Sequence, residues 1–317
     1  MIKSVVEFFL LYMVIISNPK RLIEQYQNAG NMKKALFLLV WISLGLQLGA
    51  QAVYWEVTAP NGQISHLLGT YHLLGDGFIR HDDEMFEHFQ KSDAVAVEVL
   101  IDSLSAIKVA QAGMMKEGSL RALTDSASYH RLSAIMEPLI GVPLSMVDQL
   151  MPMNLALVYG IHLAQRAMPA KLQFAGEPLD MYLGNEAVSQ GKQVVALETL
   201  EEQVTLLFGA QSPKEQMKEL LKLLEDTAQS RLDTEKLIMA YAAGDLHAML
   251  ALSEMAQSGM GDMEVWLDDR NKQWIPQLLP LLAQGNAFIA VGALHLPGEN
   301  GLLALLEAEG YQLRPLP

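Results

Sequence analysis

Residues 63–101 read QISHLLGTYHLLGDGFIRHDDEMFEHFQKSDAVAVEVLI, and the fold class is decided there. Gln63 to Thr70 is a β-like run closing on a glycine and a threonine. Arg80 to Lys91 carries apolar residues at helical spacing, and Asp93 to Ile101 is short and almost wholly apolar, the pattern of a strand buried on both faces. Strand, helix and buried strand in that order make the β-α-β unit of a parallel pair. Working outward, Gln193 to Leu197 (QVVAL) and Ala287 to Ala293 (AFIAVGA) are two more buried-strand runs, and Tyr311 to Arg314 offers a last strand after a helix from Gly301 to Glu309. Between Ser103 and Met168, and again between Thr199 and Ala283, leucines and methionines recur at three- and four-residue steps, with Pro138, Pro143, Pro152, Pro213 and Pro276 read as stops. The methionines read as core filler. The expected architecture is α/β: a mixed, largely parallel central sheet carrying a large helical insertion, in one domain from 53 to 317, because no low-complexity linker marks a boundary.

Composition narrows the function classes. The formal charge is -14 and no run of Lys and Arg alternates with aromatics, so a nucleic-acid groove has no electrostatic footprint. With no cysteine, thiolate metal sites and cysteine nucleophiles are excluded, and any metal must be held by His, Asp or Glu. Neither a G-x-S-x-G elbow, an H-E-x-x-H helix nor a Walker loop is present.

Residues 32–52 read as a signal peptide. Met32-Lys33-Lys34 is the charged start, Ala35 to Leu48 is nearly all apolar, and Gly49-Ala50-Gln51-Ala52 is a small-residue cleavage site. Residues 1–31 then stand either upstream of the true start or as an extra N-terminal segment. The expected location is periplasmic or secreted; the alternative is a membrane anchor made by the same apolar stretch, the one expected contact with a bilayer. Sequencing the N-terminus of the native protein is expected to give Val53, and an intact N-terminus would refute cleavage.

Two stretches share the pattern G-x-x-H-L-x-G: Gly69 to Gly75, with His72, and Gly292 to Gly298, with His295. Each follows an apolar strand. A glycine near a strand's end allows a turn or the close approach of a ligand, and a histidine three residues on sits at the carboxyl edge, where open α/β sheets bind ligands. An imidazole there can ligate a divalent metal through one nitrogen while a partner holds the other. Two such groups and a carboxylate make a three-ligand catalytic site with a position left for water. Glu98, a charge inside AVAVEVL, supplies the carboxylate, and Glu198 at the end of QVVAL invites the same argument, since a buried carboxylate needs a metal or a cation beside it. The plainer alternative makes His72 and His295 turn histidines bonded to backbone carbonyls, with Glu98 and Glu198 salt-bridged or exposed. Arg270, in a charged run with Asp268, Asp269 and Lys272, reads equally as an oxyanion stabiliser and as a partner of one of the acids on a solvated face. His66, His81, His88, His130, His162 and His247 lie outside any repeated motif and read as structural.

These residues resemble the TraB/GumN family, which includes the Tiki proteases and the pheromone-shutdown proteins. The resemblance runs from about Val53 to Pro315 and rests on LLGTYH ending at His72, the run carrying Glu98, GEPLDMYLGNEAVSQGKQVVALETLEEQ (176–203), Asp-Arg-Asn at 269–271, and VGALHLPGENGLLALLEAEGYQLRPL (291–316). It implies a fold similar to erythromycin esterase and the haem-binding ChaN-like proteins, and metal-dependent peptide-bond hydrolysis through the two G-x-x-H histidines and a glutamate. Those roles fall on His72, His295 and Glu98, with Gly69, Gly292, Asp180, Glu198 and Arg270 at other positions typical of the family. The expected protein is an exported hydrolase, a peptidase first, with a divalent ion (Zn, Mn or Co) whose bound water attacks a carbonyl of a peptide or small-molecule substrate while Glu98 or Glu198 takes its proton. The rivals are a metal-free, esterase-like hydrolase with a histidine base, and a protein that holds haem or a peptide without turnover.

Overall fold

The computed structural model describes residues 52–72, 74–80, 83–101, 103–168, 178–255 and 264–317. The leader reading (all but Ala52), His81 and the first residues of the 176–203 segment lie outside them. Six strands, β1 (Tyr54–Thr58), β2 (Ile64–Thr70), β3 (Ala94–Val97), β4 (Gln193–Ala196), β5 (Ala287–Gly292) and β6 (Gln312–Leu316), form one sheet in the order β4-β3-β5-β2-β1-β6. The pairs β3·β4, β3·β5 and β2·β5 are parallel, while β1 runs antiparallel to both β2 and β6. The sheet is therefore mixed and mostly parallel, as the β-α-β reading requires.

Twelve helices occur among the described residues: α1 (Gly77–Arg80), α2 (Asp83–Lys91), α3 (Ser103–Ala112), α4 (Ser126–Ile140), α5 (Pro152–Ala167), α6 (Leu179–Ser189), α7 (Leu200–Gly209), α8 (Pro213–Glu225), α9 (Thr227–Ala242), α10 (Leu246–Met255), α11 (Asp269–Gln284) and α12 (Leu302–Ala308). Every residue of β3 and β5 is buried, which is why these strands show as unbroken apolar runs. The pattern does not single out β1, whose YWEVT mixes half-buried and buried positions beside an edge. There Glu56 faces Arg314 across β1 and β6, and both Arg314 Nε and Nη2 donate to its carboxylate.

Two of the proline stops are corrected. Pro138 lies inside α4, and Pro276, with Pro280, inside α11. A proline removes one backbone bond from a helix and crowds the preceding turn; in α11 the face carrying Trp274, Ile275, Leu278, Leu281 and Leu282 is buried and keeps the helix in place. Pro152 and Pro213 instead open α5 and α8, where the missing N–H would have no partner anyway.

The core has two parts. One wraps the sheet; the other lies within the helical region and is built on Leu120, Leu132, Met136, Leu144, Leu155, Met217 and Leu220. Met115, Met136, Met151 and Met217 fill that second core as expected, but Met146, Met239 and Met255 are exposed. His66 and His88 stack on each other with ring centroids 3.8 Å apart, and Tyr54 Oη lies 2.7 Å from His88 Nδ1. Burial, then His88, pushes the His66 pKa down to about 4, so the His66 ring packs as a neutral group. His130 and His247 are exposed on helices, and His162 is half-buried. Among the described residues no helix is long and apolar enough to cross a membrane.

The strand order carries the functional consequence. β5 lies between β2 and β3, so residues following three parallel strands, far apart in sequence, come together at one carboxyl edge.

Candidate functional site

His72, Glu98 and His295 follow β2, β3 and β5, and they meet over Gly292. A Cβ placed on Gly292 would stand 3.2 Å from Glu98 Oε1, 3.6 Å from His295 Cδ2 and 3.7 Å from His72 Nε2. Gly292 has φ -54 and ψ 135, which any L-residue adopts. Glycine is there for room. The other motif glycine serves packing: a Cβ on Gly69 would press on Ala293 Cα at 3.0 Å and on Leu296 at 3.1 Å, where β2 lies against the turn after β5.

Glu98 was expected inside its strand. It is the first residue beyond β3, where the chain bends and brings the carboxylate to the Gly292 N–H, which donates to Oε1 at 2.7 Å. Oε2 accepts from Arg270 Nη2 at 2.7 Å and from Gln203 Nε2 at 3.1 Å. Burial would raise this carboxyl, but His295, His72, Arg270 and the Gly292 N–H hold it down at about 2.

Both histidines have Nδ1 bound to a side-chain oxygen rather than to a backbone carbonyl. His72 Nδ1–H donates to Asp180 Oδ2 at 2.9 Å. Asp180 is placed by the start of α6, which the Leu179 N–H to Leu74 O bond and the Gly75·Pro178 bridge tie to the loop after His72. The Asp180 bond raises the His72 pKa to about 9, although the ring is 71% exposed and faces incoming solvent. His295, by contrast, lies under Trp274, ring centroids 4.3 Å apart, and burial drives its pKa down to about 3. Its tautomer is fixed by Asn271: the amide Nδ2 donates to His295 O and Asn300 O, so Oδ1 must take the His295 Nδ1–H, at 2.7 Å. The lone pair is therefore on Nε2.

Arg270 occupies that lone pair. Its Nη1 donates to His295 Nε2 at 3.1 Å and to Trp266 O, Nε donates to Glu198 Oε1 at 2.6 Å, and Nη2 donates to Glu198 Oε2 and Glu98 Oε2. All five guanidinium hydrogens have acceptors. Of its two expected readings, pairing with the acids is the one seen, and with both of them, in a setting where Arg270, Glu98 and Glu198 are 13%, 11% and 8% exposed rather than solvated. Trp274 Nε1 completes Glu198 at 3.0 Å. Residues 53–315 match the model of the TraB/PrgY/gumN family.

The chain belongs to that family. No curated protein matches it. In this TraB/PrgY/gumN member, the expected site residues Glu98, Glu198, Arg270, Gly292 and His295 form one hydrogen-bonded network, the His72–Asp180 pair approaches it over Gly292, and Gly69 packs against the turn after β5. Sequence reasoning assigned no role to Gln203, Asn271 or Trp274. Asn271 follows Arg270 directly and Trp274 lies one turn on, so the helical period from Arg270 was the signal available.

The histidines suit a metal in kind, because an Nδ1 held by oxygen is what orients a ligating imidazole. The positions do not suit one as the side chains stand. Arg270 takes the His295 lone pair and one Glu98 oxygen, and among the described residues no three of His, Asp and Glu are arranged to hold an ion.

Beyond Glu198, the carboxyl ends of β3 and β4 border a cavity of about 480 Å³. Its walls are Val99, Leu100, Ala196, Leu197, Glu198, Thr199, Leu200, Glu202 and Gln277.

Proposed function

We propose that the protein is an exported hydrolase of amide or ester bonds, with peptides as its first class of substrate, and that the space over Gly292 is its reaction centre. The observation that carries this reading is the meeting of Glu98 Oε1 and His72 Nε2 above a glycine whose backbone does not need to be glycine. His72 and Asp180 form the imidazole–carboxylate pair of a general base: Asp180 fixes the ring, and Nε2 is left to take a proton. Glu98, kept ionised, accepts a hydrogen bond from the attacking water and aims it. When that water bonds to the carbonyl carbon, its proton passes to His72 Nε2, which then delivers it to the leaving nitrogen or oxygen. Arg270 holds Glu98, Glu198 and His295 in register and leaves no N–H free for the oxyanion.

A second reading keeps a divalent ion on His72, His295 and Glu98, favoured by the two tethered Nδ1 atoms; such an ion would supply an acidified water. It requires Arg270 to release His295. Export rests on the 32–52 leader.

The test is cleavage of a peptide library and of nitrophenyl esters by the purified chain, with and without a chelator. His72→Gln and Glu98→Gln are each expected to lower kcat/KM by about 10²–10⁴-fold while circular dichroism is unchanged. The His72 pKa is raised, so the base is protonated at neutral pH, and the rate should climb with pH toward about 9. A rate indifferent to chelator supports the first reading; loss restored by Zn, Mn or Co supports the second. Full activity in both variants would show that the centre lies elsewhere.

A further inference from the structure

The cavity beside Glu198 is the second feature of the same sheet edge. Val99 follows Glu98 directly, the Glu198 N–H donates to Glu98 O at 2.9 Å, and Glu198, which lines the cavity, shares the Arg270 guanidinium with Glu98. A substrate with its scissile carbonyl over Gly292 therefore has the cavity beside it along the edge.

Much of the polar lining is already engaged within the fold. Glu198 is bound by Arg270 and Trp274; Thr199 and Glu202 close on each other as the capping box of α7; Gln277 donates its amide to Leu197 O. The apolar part of the surface left to meet a ligand is that of Val99, Leu100, Leu197 and Leu200, beside the polar rim of Thr199, Glu202 and Gln277. Of these, Val99, Leu100 and Leu200 are only half-buried, with apolar surface that the fold itself does not cover.

We propose that this cavity is a specificity subsite for an uncharged aliphatic side chain, of leucine or valine size, next to the scissile bond. The proposal rests on the hydrolase reading above. Hydrophobic pockets discriminate by size, each methylene changing the rate by about tenfold or more.

The experiment is a series of peptides and acyl esters differing only in the group beside the scissile bond (Gly, Ala, Val, Leu, Lys), tested on the wild-type chain and on Leu200→Trp, with Ala196→Phe as a second way to fill the space. The wild type is expected to favour Leu over Ala by about tenfold or more in kcat/KM. Either filling variant should raise KM for the Leu substrate about tenfold, leaving kcat and the Ala substrate within about twofold. A flat preference, or a preference untouched by both variants, overturns the subsite while leaving the hydrolase reading intact. A preference for Lys overturns it too, by placing the Glu202 carboxylate in charge. If the wild type cleaves no member of the series or of the wider library, the hydrolase reading itself fails.

Discussion

Arg270→Met is expected to lower the free energy of unfolding by about 3–5 kcal/mol, the cost of leaving buried carboxylates without their cation. The size follows from the accounting around the guanidinium: five N–H groups, two carboxylates, one imidazole and one carbonyl, nearly all out of solvent. Methionine fills much of the arginine's volume and answers none of those acceptors. The double variant Arg270→Met with Glu198→Gln should recover part of the loss, since a neutral amide oxygen can still accept from Trp274 Nε1. Urea unfolding of the four species gives the coupling directly. The pH dependence has a definite sign. In the wild type Glu98 titrates at about 2, below its unfolded value of about 4.5, so its contribution is complete above about 4.5 and fades as pH falls toward 2. In the variant Glu98 loses the lowering by Arg270 and titrates higher than in the wild type, so the variant loses less stability on acidification. The gap between the two should therefore be widest at neutral pH and narrow below about 4.5. Equal stability at pH 7 would mean that the network contributes nothing, and a loss not relieved by Glu198→Gln would place the cost elsewhere.

How much of this was open to inspection in the sequence depends on periodicity and on reach. β3 and β5 were legible because burial on both faces leaves an unbroken apolar run, and the repeated G-x-x-H drew attention to the edge those strands share. β1 was not, because a strand beside an edge is only half covered and its YWEVT carries no clean alternation. The in-helix prolines misled for a similar reason: a local preference for ending a helix is outweighed by the long-range burial around Trp274 and Leu278, which no local pattern shows. At the site, residue types and positions could be read, but their engagement could not. That Arg270 would bind both acids and an imidazole, and not only one acid, depends on β3 lying between β4 and β5, a fact of strand order that spacing along the chain does not contain. The likeness of the two motifs also hid a division of labour, with Gly69 needed for the approach of β2 to Ala293 and Gly292 for the space above it.

That division gives the second large effect. Gly292→Ala is expected to leave stability within about 1 kcal/mol of wild type, because its backbone conformation is open to alanine and alanine restricts the unfolded chain more than glycine does. The Gly292 N–H to Glu98 bond needs no side chain and survives. Activity should nevertheless fall about 10²-fold, because the new methyl lies 3.2 Å from Glu98 Oε1 and must displace it by a few tenths of an ångström, within the space where the attacking water is to sit. Gly292→Val, which extends the same obstruction toward His72 and His295, should remove turnover more completely. The paired control is Gly69→Ala, whose methyl meets backbone and side-chain carbon at 3.0–3.1 Å; it should cost stability first and activity only as the fold loosens. Thermal unfolding and kcat/KM measured on all three separate the outcomes. If Gly292→Ala melted early and Gly69→Ala did not, the assignments of packing and reaction space would be reversed. Were Gly292→Ala fully active and stable, nothing would react above that glycine, since a reaction centre cannot share its floor with a methyl group and keep its geometry.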